Sequence, residues 1–178
     1  GHDQNPLSRR EATLVVALIW AGAGVFGGLP FVLDAGMGSH DAFFEAMSGF
    51  TTTGATVIGD IDNLSRATNL WRCEMHWIGG MGIVVLFVAV FPQFGVGARH
   101  LFKTEVPGPI TSGLAPTIRQ TARALYRIYA ALTILCAALF VVAGMPLFDA
   151  VCHAMSTLGT GGFSSRGAII GAYQNAAI

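Results

Sequence analysis

Two segments of this chain, residues 41–56 and 149–164, are spelled alike and lie 108 residues apart. Each is a short helix-forming stretch that continues into a loop rich in threonine and glycine, and each follows a long apolar run. The loop positions that correspond at this offset include Thr52 with Thr160 and Gly54 with Gly162. A duplicated loop that can present bare carbonyls predicts a pathway with several equivalent walls, which is the layout of an ion pore.

The composition indicates a membrane protein. Of the 178 residues, 53% are hydrophobic and only 11% are charged, whereas a soluble domain carries about 25% charged residues. A chain with so little charge has too little polar surface to face water. We therefore interpret the chain as an all-α membrane protein. The three cysteines have no CxxC spacing and the five histidines share no metal-ligand spacing, so we expect neither a disulfide framework nor a zinc site.

Three apolar runs are long enough to cross a bilayer. The first, residues 12–33, contains 22 residues without a charge, and as a helix it would be about 33 Å long. We predict further spans over residues 70–91 and 124–143. The sequence therefore predicts at least three membrane-spanning helices.

The charged residues predict how these spans are oriented. Residues 34–65 contain five acidic residues and no Lys or Arg, whereas residues 93–127 contain five basic residues and one acidic residue. Because Lys and Arg near span ends mark the cytoplasmic side, we expect the N-terminus and the central linker to be cytoplasmic. The predicted organisation is a first repeat at 6–92, a linker at 93–118, and a second repeat at 119–178 that is truncated after its loop.

Two shorter stretches, 41–50 and 147–158, follow spans but cannot cross a bilayer themselves. We predict that both are re-entrant pore helices, the first with Ser39 as its N-cap. Each would direct its negative C-terminal end towards a cavity that holds a cation. Irregular backbone at membrane depth is tolerated only where protein or water surrounds it. The loops that follow are therefore predicted to line a pore rather than to face lipid.

The loops have the composition that a dehydrated monovalent cation requires. Several oxygens must replace its water shell, and backbone carbonyls with threonine hydroxyls can supply them. Glycine lacks a Cβ and adopts the dihedral angles that turn successive carbonyls towards one axis. Residues 52–56 and 160–164 both meet these needs, and neither stretch contains a carboxylate. A ring of acidic side chains selective for divalent ions is therefore not favoured.

Three longer motifs resemble the Trk/Ktr/HKT superfamily of potassium transporters, and within it the membrane subunit of the bacterial Trk system. They are FFEAMSGFTTTGATV, LWRCEMHWIGGMGIVVLFVAVFP and PLFDAVCHAMSTLGTGGFS. The resemblance implies four span–pore-loop–span repeats around one pore, as in a potassium channel, with one glycine per loop central to selectivity. By this resemblance the selectivity-filter residues are Thr52, Thr53, Gly54, Thr160, Gly161 and Gly162.

The resemblance also implies the setting in which the chain works. It implies potassium as the transported substrate, no cofactor, no enzymatic activity, no nucleic-acid partner and a multi-pass position in the cell inner membrane. Transport would be passive or coupled to another gradient, as in a symporter. The expected partners are membrane lipid, a second copy in a homodimer, and a cytosolic nucleotide-binding regulatory subunit of the TrkA type that faces residues 95–119. Only one complete repeat and most of a second are present, so we expect the chain to be a fragment of a larger transporter.

Two alternatives stay open at the level of sequence. The chain could be a non-conducting fragment that only packs against other membrane helices. It could also be an intramembrane hydrolase, because serines and histidines lie in or near apolar segments, although no GxSxG motif is present. The residues concerned are Ser48, Ser156, His76 and His153.

Several other residues have simpler interpretations. We expect the cluster of three glycines at residues 79–82 to allow close helix packing rather than to form a hinge. Arg72 and Glu74 lie near the start of a predicted span, where long side chains commonly reach the interface. Glu45 and His153 occupy the same repeat position with different side chains, which favours a structural role over a functional one.

Overall fold

The computed structural model describes residues 9–90 and 118–168, and every regular element within these stretches is an α-helix. The helices are α1 (Arg9–Leu33), α2 (Ser39–Phe50), α3 (Arg66–Val90), α4 (Ile118–Val142) and α5 (Leu147–Leu158). Helices α1, α3 and α4 have 25 residues each, whereas α2 and α5 have 12 each and are too short to cross a bilayer. The predicted all-α architecture of spans and half-spans is confirmed.

The predicted helix ends are accurate to one residue, but the predicted starts of the long helices are too late. α3 begins at Arg66 rather than at residue 70, and α4 begins at Ile118 rather than at residue 124. These first turns are polar, and hydropathy alone does not recognise a helix that continues beyond its apolar run. The prediction of Ser39 as an N-cap is wrong. Gly38 is the N-cap of α2, in an extended conformation, and its carbonyl accepts a hydrogen bond from Ala42 N at 2.9 Å.

Two of the helices are long and apolar enough to cross a membrane, over Thr13–Leu33 and Gln120–Val142. Both carry large apolar side chains that are more than half exposed, such as Phe26 on α1 and Ile134 on α4. An exposed apolar surface of this extent is stable against lipid tails or further apolar helices rather than against water. The described helices therefore present the surface of a membrane protein.

Helix α3 lies between two similar units. In the first unit α1 packs on α2, in the second α4 packs on α5, and α3 contacts both short helices. The core of the first unit includes Phe31, Ala46 and Met75, which are fully buried. Trp71 on α3 donates a hydrogen bond from its indole nitrogen to the carbonyl of Gly27 on α1 at 2.9 Å.

Two adjacent glycines bring the ends of both short helices against α3. A Cβ atom added at Gly79 would lie 2.0 Å from the carbonyl oxygen of Phe50, the last residue of α2. One added at Gly80 would lie 2.8 Å from Cα of Gly159, which directly follows α5. Any side chain at either position would therefore overlap backbone. The packing interpretation of the glycine cluster is confirmed at these two positions.

The predicted division into repeats falls partly outside the described residues. The linker predicted at residues 93–118 lies outside them except for Ile118, the first residue of α4. The order of α1 to α3 followed by α4 and α5 agrees with one full repeat and most of a second. The boundaries of the repeats and the linker stay predictions.

Candidate functional site

The loops after α2 and α5 leave their helices by the same hydrogen bonds. In each loop the first three backbone N–H groups return to carbonyls of the last helical turns, at 2.9–3.0 Å. In the first loop these bonds run from Thr51 to Met47, Thr52 to Gly49 and Thr53 to Ser48. In the second they run from Gly159 to Met155, Thr160 to Thr157 and Gly161 to Ser156. Every donor and every acceptor corresponds at an offset of 108 residues, so the sequence repeat is also a repeat of backbone structure.

Both loops contain the same alternation of backbone dihedral angles. Thr52 and Thr160 have φ of 55° and 56°, and Gly54 and Gly162 have φ of 75° and 85°. A positive φ is unfavourable for a β-branched residue and costs about 1–3 kcal/mol. Positive φ at alternate residues lets successive carbonyls turn towards one side instead of alternating as in a strand. The duplicated conformation is the one that carbonyl coordination of an ion requires.

The two loops touch each other through their backbones. A Cβ atom added at Gly54 would lie 1.8 Å from the carbonyl oxygen of Gly161. Gly161 itself is buried, whereas Thr160 and Gly162 are exposed within the described part of the chain. A Cβ atom at Gly162 would have no described atom within 4 Å. The structure therefore brings the six predicted filter residues into one region, with the glycines of the two loops at their junction.

A buried ion pair supports the end of the first loop. Arg72 Nε and Glu45 Oε1 lie 2.9 Å apart, and both side chains are fully buried. The Glu45 carboxylate also accepts hydrogen bonds from Thr56 Oγ1 at 2.9 and 3.0 Å and from Val57 N at 3.1 Å. Buried charges are stable only when they are paired and hydrogen-bonded, and these contacts meet both needs. The pair therefore joins α2, α3 and the end of the loop.

The same arginine reaches the second loop. Arg72 Nη1 donates to the carbonyl of Ser164 at 3.4 Å, and its guanidinium carbon lies 4.2 Å from the centre of the Phe163 ring. Beside it, Asn69 Nδ2 donates to the carbonyl of Ser165 at 3.0 Å. Arg72 is therefore buried between the two loops. The interpretation of Arg72 as a side chain that reaches the membrane interface is wrong, because its charge is satisfied inside the protein.

Glu45 and His153, which share one repeat position, each bond the end of the loop in their own repeat. Glu45 accepts from Thr56, and His153 Nε2 lies 3.4 Å from the hydroxyl oxygen of Ser164. Ser164 corresponds to Thr56 at the same offset of 108 residues. The expected structural role is what the structure has, and its place is next to the candidate filter. Comparing both pairs at this offset would have found the contacts from sequence.

The ring of His76 lies directly behind the second loop. Its Nδ1 is 3.0 Å from Ser156 Oγ and 3.3 Å from Phe163 N, and the ring stacks on that of Phe163 at 4.0 Å. A Cβ atom at Gly161 would lie 2.2 Å from Nδ1. Sequence reasoning assigned His76 only to the hydrolase alternative. An ionisable side chain inside a membrane segment is a functional hypothesis by default, and that signal was present.

Side chains that bind metals do not cluster near the loops. Among the residues that the structure describes, no group of three or more His, Cys, Asp or Glu side chains could hold a metal ion. Asp149, at the start of α5, is buried and accepts a hydrogen bond from Ser165 Oγ at 2.7 Å. The oxygens that face the junction of the loops therefore come from backbone and hydroxyl groups.

The chain is similar to known transport proteins over nearly its whole length. The family model described as "TrkH: Cation transport protein" matches residues 2–178. The chain is 49% identical to the Trk system potassium uptake protein TrkH of Halomonas elongata and 42% identical to that of Escherichia coli K12, over 99% of its own length in both cases. It spans 37% of the length of either relative.

A solved structure agrees with this assignment. The crystal structure of the potassium transporter TrkH from Vibrio parahaemolyticus superimposes with a TM-score of 0.82 and 41% sequence identity. The match covers 100% of this chain and 35% of that chain. Fold, sequence and the two loops therefore lead to one conclusion. The chain belongs to the TrkH family of cation transport proteins.

Proposed function

We propose that this chain forms part of a larger Trk-type transporter that takes up potassium through a carbonyl-lined selectivity filter. The observation that carries the proposal is the duplicated loop, in which threonine and glycine have matching positive φ angles and the two backbones meet. Relatives with the printed name potassium uptake protein support the choice of ion. In this proposal potassium is the substrate and no cofactor takes part.

The proposed filter residues are the carbonyls and hydroxyls of Thr52, Thr53, Gly54, Thr160, Gly161 and Gly162. A potassium ion loses its water shell only where several oxygens replace it at once. Two loops supply two walls of such a site, and the exposed side of Gly162 leaves space for others. We therefore infer that further loops, contributed by the remainder of a longer protein, complete the filter.

The membrane setting and the partners are part of the same proposal. The exposed apolar faces of α1 and α4 support a multi-pass protein, which we assign to the cell inner membrane. A homodimer and a cytosolic nucleotide-binding subunit of the TrkA type, bound at residues 95–119, are further proposals that rest on the family alone. Passive transport and symport both fit the described residues.

The test is a carboxylate placed at each filter glycine of the full-length transporter. We expect Gly54→Asp and Gly162→Asp to abolish rubidium uptake by cells, because the new side chain strains the backbone and occupies the ion path. Gly59→Asp is the matched control, since Gly59 is exposed and a Cβ atom there meets nothing within 4 Å. Folded protein is measured in parallel by yield and by gel filtration in detergent.

Two results decide the proposal. Rubidium uptake at the wild-type rate by either filter variant, with normal yield, would contradict it. The non-conducting alternative is tested by reconstituting the chain alone in liposomes, where we expect no rubidium flux because two walls do not enclose a path. Flux from the isolated chain would show that the filter needs no further walls.

One contact bears on the hydrolase alternative. His76 Nδ1 lies 3.0 Å from Ser156 Oγ, which is within the reach of a base and its nucleophile. However, both side chains are buried, and the same Nδ1 accepts from Phe163 N. The packed Gly161 backbone leaves no room for a substrate beside the ring. We therefore interpret this pair as support for the loop.

A further inference from the structure

The histidine behind the second loop has an unusual set of contacts. His76 is fully buried, its Nδ1 faces Ser156 and Phe163, and its Nε2 has no hydrogen-bond partner among the described residues. A buried polar atom without a partner is unfavourable by about 1–3 kcal/mol. A residue that served only to fill this space would be better replaced by an apolar ring. The contacts on the Nδ1 side are therefore the ones to explain.

The direction of one hydrogen bond fixes the chemistry of the ring. The N–H of Phe163 can only donate, so Nδ1 accepts through its lone pair and the ring proton lies on Nε2. A ring protonated on both nitrogens would turn an N–H towards the N–H of Phe163. The neutral ring with its proton on Nε2 therefore suits this position.

The two loops differ in what holds them at this point. In the first loop Ser48 Oγ donates to the carbonyl of Ala55 at 2.6 Å, within its own repeat. In the second loop the equivalent Ser156 bonds His76, and His76 accepts from Phe163, the equivalent of Ala55. A side chain from the preceding repeat thus replaces a direct contact between helix and loop. The flat side of the same ring lies against Gly161.

We propose that His76 is a positioning residue that sets the carbonyl geometry of the second filter loop, and with it the discrimination between potassium and sodium. The Nδ1 lone pair holds the peptide between Gly162 and Phe163, and the ring blocks inward movement of Gly161. Whether selectivity comes from cavity size or from the number of carbonyls, both depend on where this loop lies. The inference rests on the proposed function of the loops as an ion filter.

The test compares variants of His76 in the full-length transporter by the ratio of rubidium to sodium uptake. His76→Asn places an amide oxygen where Nδ1 lies and keeps the acceptor, so we expect the ratio to stay near that of the wild type. His76→Gln carries its oxygen one bond further out, and His76→Phe has no acceptor. For these two we expect the ratio to fall about threefold to tenfold, as for one lost hydrogen bond. Met81→Leu, a buried and volume-conserving change on the same helix, is the control.

Each outcome has a definite meaning. Equal ratios for the Asn, Gln and Phe variants, or a fall in Asn as large as in Gln, would overturn the inference. If the Phe variant does not fold, the comparison of Asn with Gln decides, because these differ only in the reach of one amide. A wild-type transporter that takes up no rubidium would instead contradict the proposed function. A normal wild type with unchanged His76 variants would leave that function intact and remove only the role of His76.

Discussion

The first and second loops have one backbone and two kinds of support. Their hydrogen bonds to the preceding helix and their positive φ angles correspond residue by residue. Their side-chain contacts do not, because Ser48 bonds its own loop, whereas Ser156 bonds a histidine from α3. The comparison teaches that a repeat can keep the conformation needed for coordination while the groups that stabilise it change. Each loop should therefore respond differently to substitution of equivalent residues.

The largest expected difference concerns the two filter glycines. We expect Gly54→Ala to abolish rubidium uptake, because its methyl group would lie 1.8 Å from the carbonyl oxygen of Gly161. Gly162→Ala has the same kind of φ but open space among the described residues, so it adds only a strain of about 1–3 kcal/mol. Uptake rates of the two variants in cells, normalised to folded protein, measure the difference. Equal loss in both would mean that unlisted neighbours, not the described junction, limit Gly162.

The buried ion pair should produce the next largest effect, and on both loops at once. We expect Arg72→Met and Glu45→Gln each to lower the free energy of unfolding by about 3–5 kcal/mol, because one buried charge loses its partner. The double variant should lose less than the sum of the two. Denaturant unfolding in detergent measures all three. Asp62→Asn, at an exposed contact with Arg166, is the control and should change stability by less than about 1 kcal/mol. Strict additivity would contradict the coupling.

A smaller effect should separate the equivalent serines. Ser48→Ala removes the hydroxyl that donates to the Ala55 carbonyl, and we expect a loss of about 1–3 kcal/mol. Ser156→Ala leaves His76 Nδ1 with the Phe163 N–H as a donor, so the loss should be nearer to about 1 kcal/mol. Thermal unfolding of both variants in detergent tests the order. A larger loss at Ser156 would indicate that its bond to His76, rather than that of Phe163, holds the second loop.

The smallest effect concerns the outer connections, where Asp34 corresponds to Val142 in the second repeat. Hydrogen bonds from the hydroxyls of Ser65 and then Thr68 lower the pKa of the Asp34 carboxyl below its ordinary value. A lowered pKa stabilises the fold above the unfolded value and loses that contribution as the pH falls through the folded value. We expect the wild type, but not Asp34→Asn, to lose this small contribution below about pH 4. Melting temperatures across pH 3–6 test it, and parallel curves would contradict it.

Much of the fold could be predicted because it depends on patterns that are local in sequence. Apolar runs and their length gave the long helices, and the repeat gave the two short helices with ends accurate to one residue. The starts at Arg66 and Ile118 were missed, because polar first turns carry no hydropathy signal. The N-cap was misassigned to Ser39 because extended backbone at Gly38 serves the same purpose without a side-chain bond.

The supports of the site could not be predicted by the same means. Thr52, Gly54 and their equivalents stand out by repetition, but Arg72 and His76 act on a loop about 90 residues away in sequence. Nothing in their local sequence distinguishes a buried side chain from one that reaches the interface. Their partners emerge only from packing α3 between the two short helices. The roles of all these residues in an ion filter stay predictions.

Gly79 and Gly80 have a mechanical consequence. The end of α2 lies on one of these neighbouring residues, and the chain just after α5 lies on the other. Since consecutive residues project about 100° apart around a helix axis, α3 works like a shaft with one bearing on each side. A twist or a slide of this shaft cannot displace one pore helix and leave the other still. Force applied at its far end would thus arrive at both walls of the ion path together.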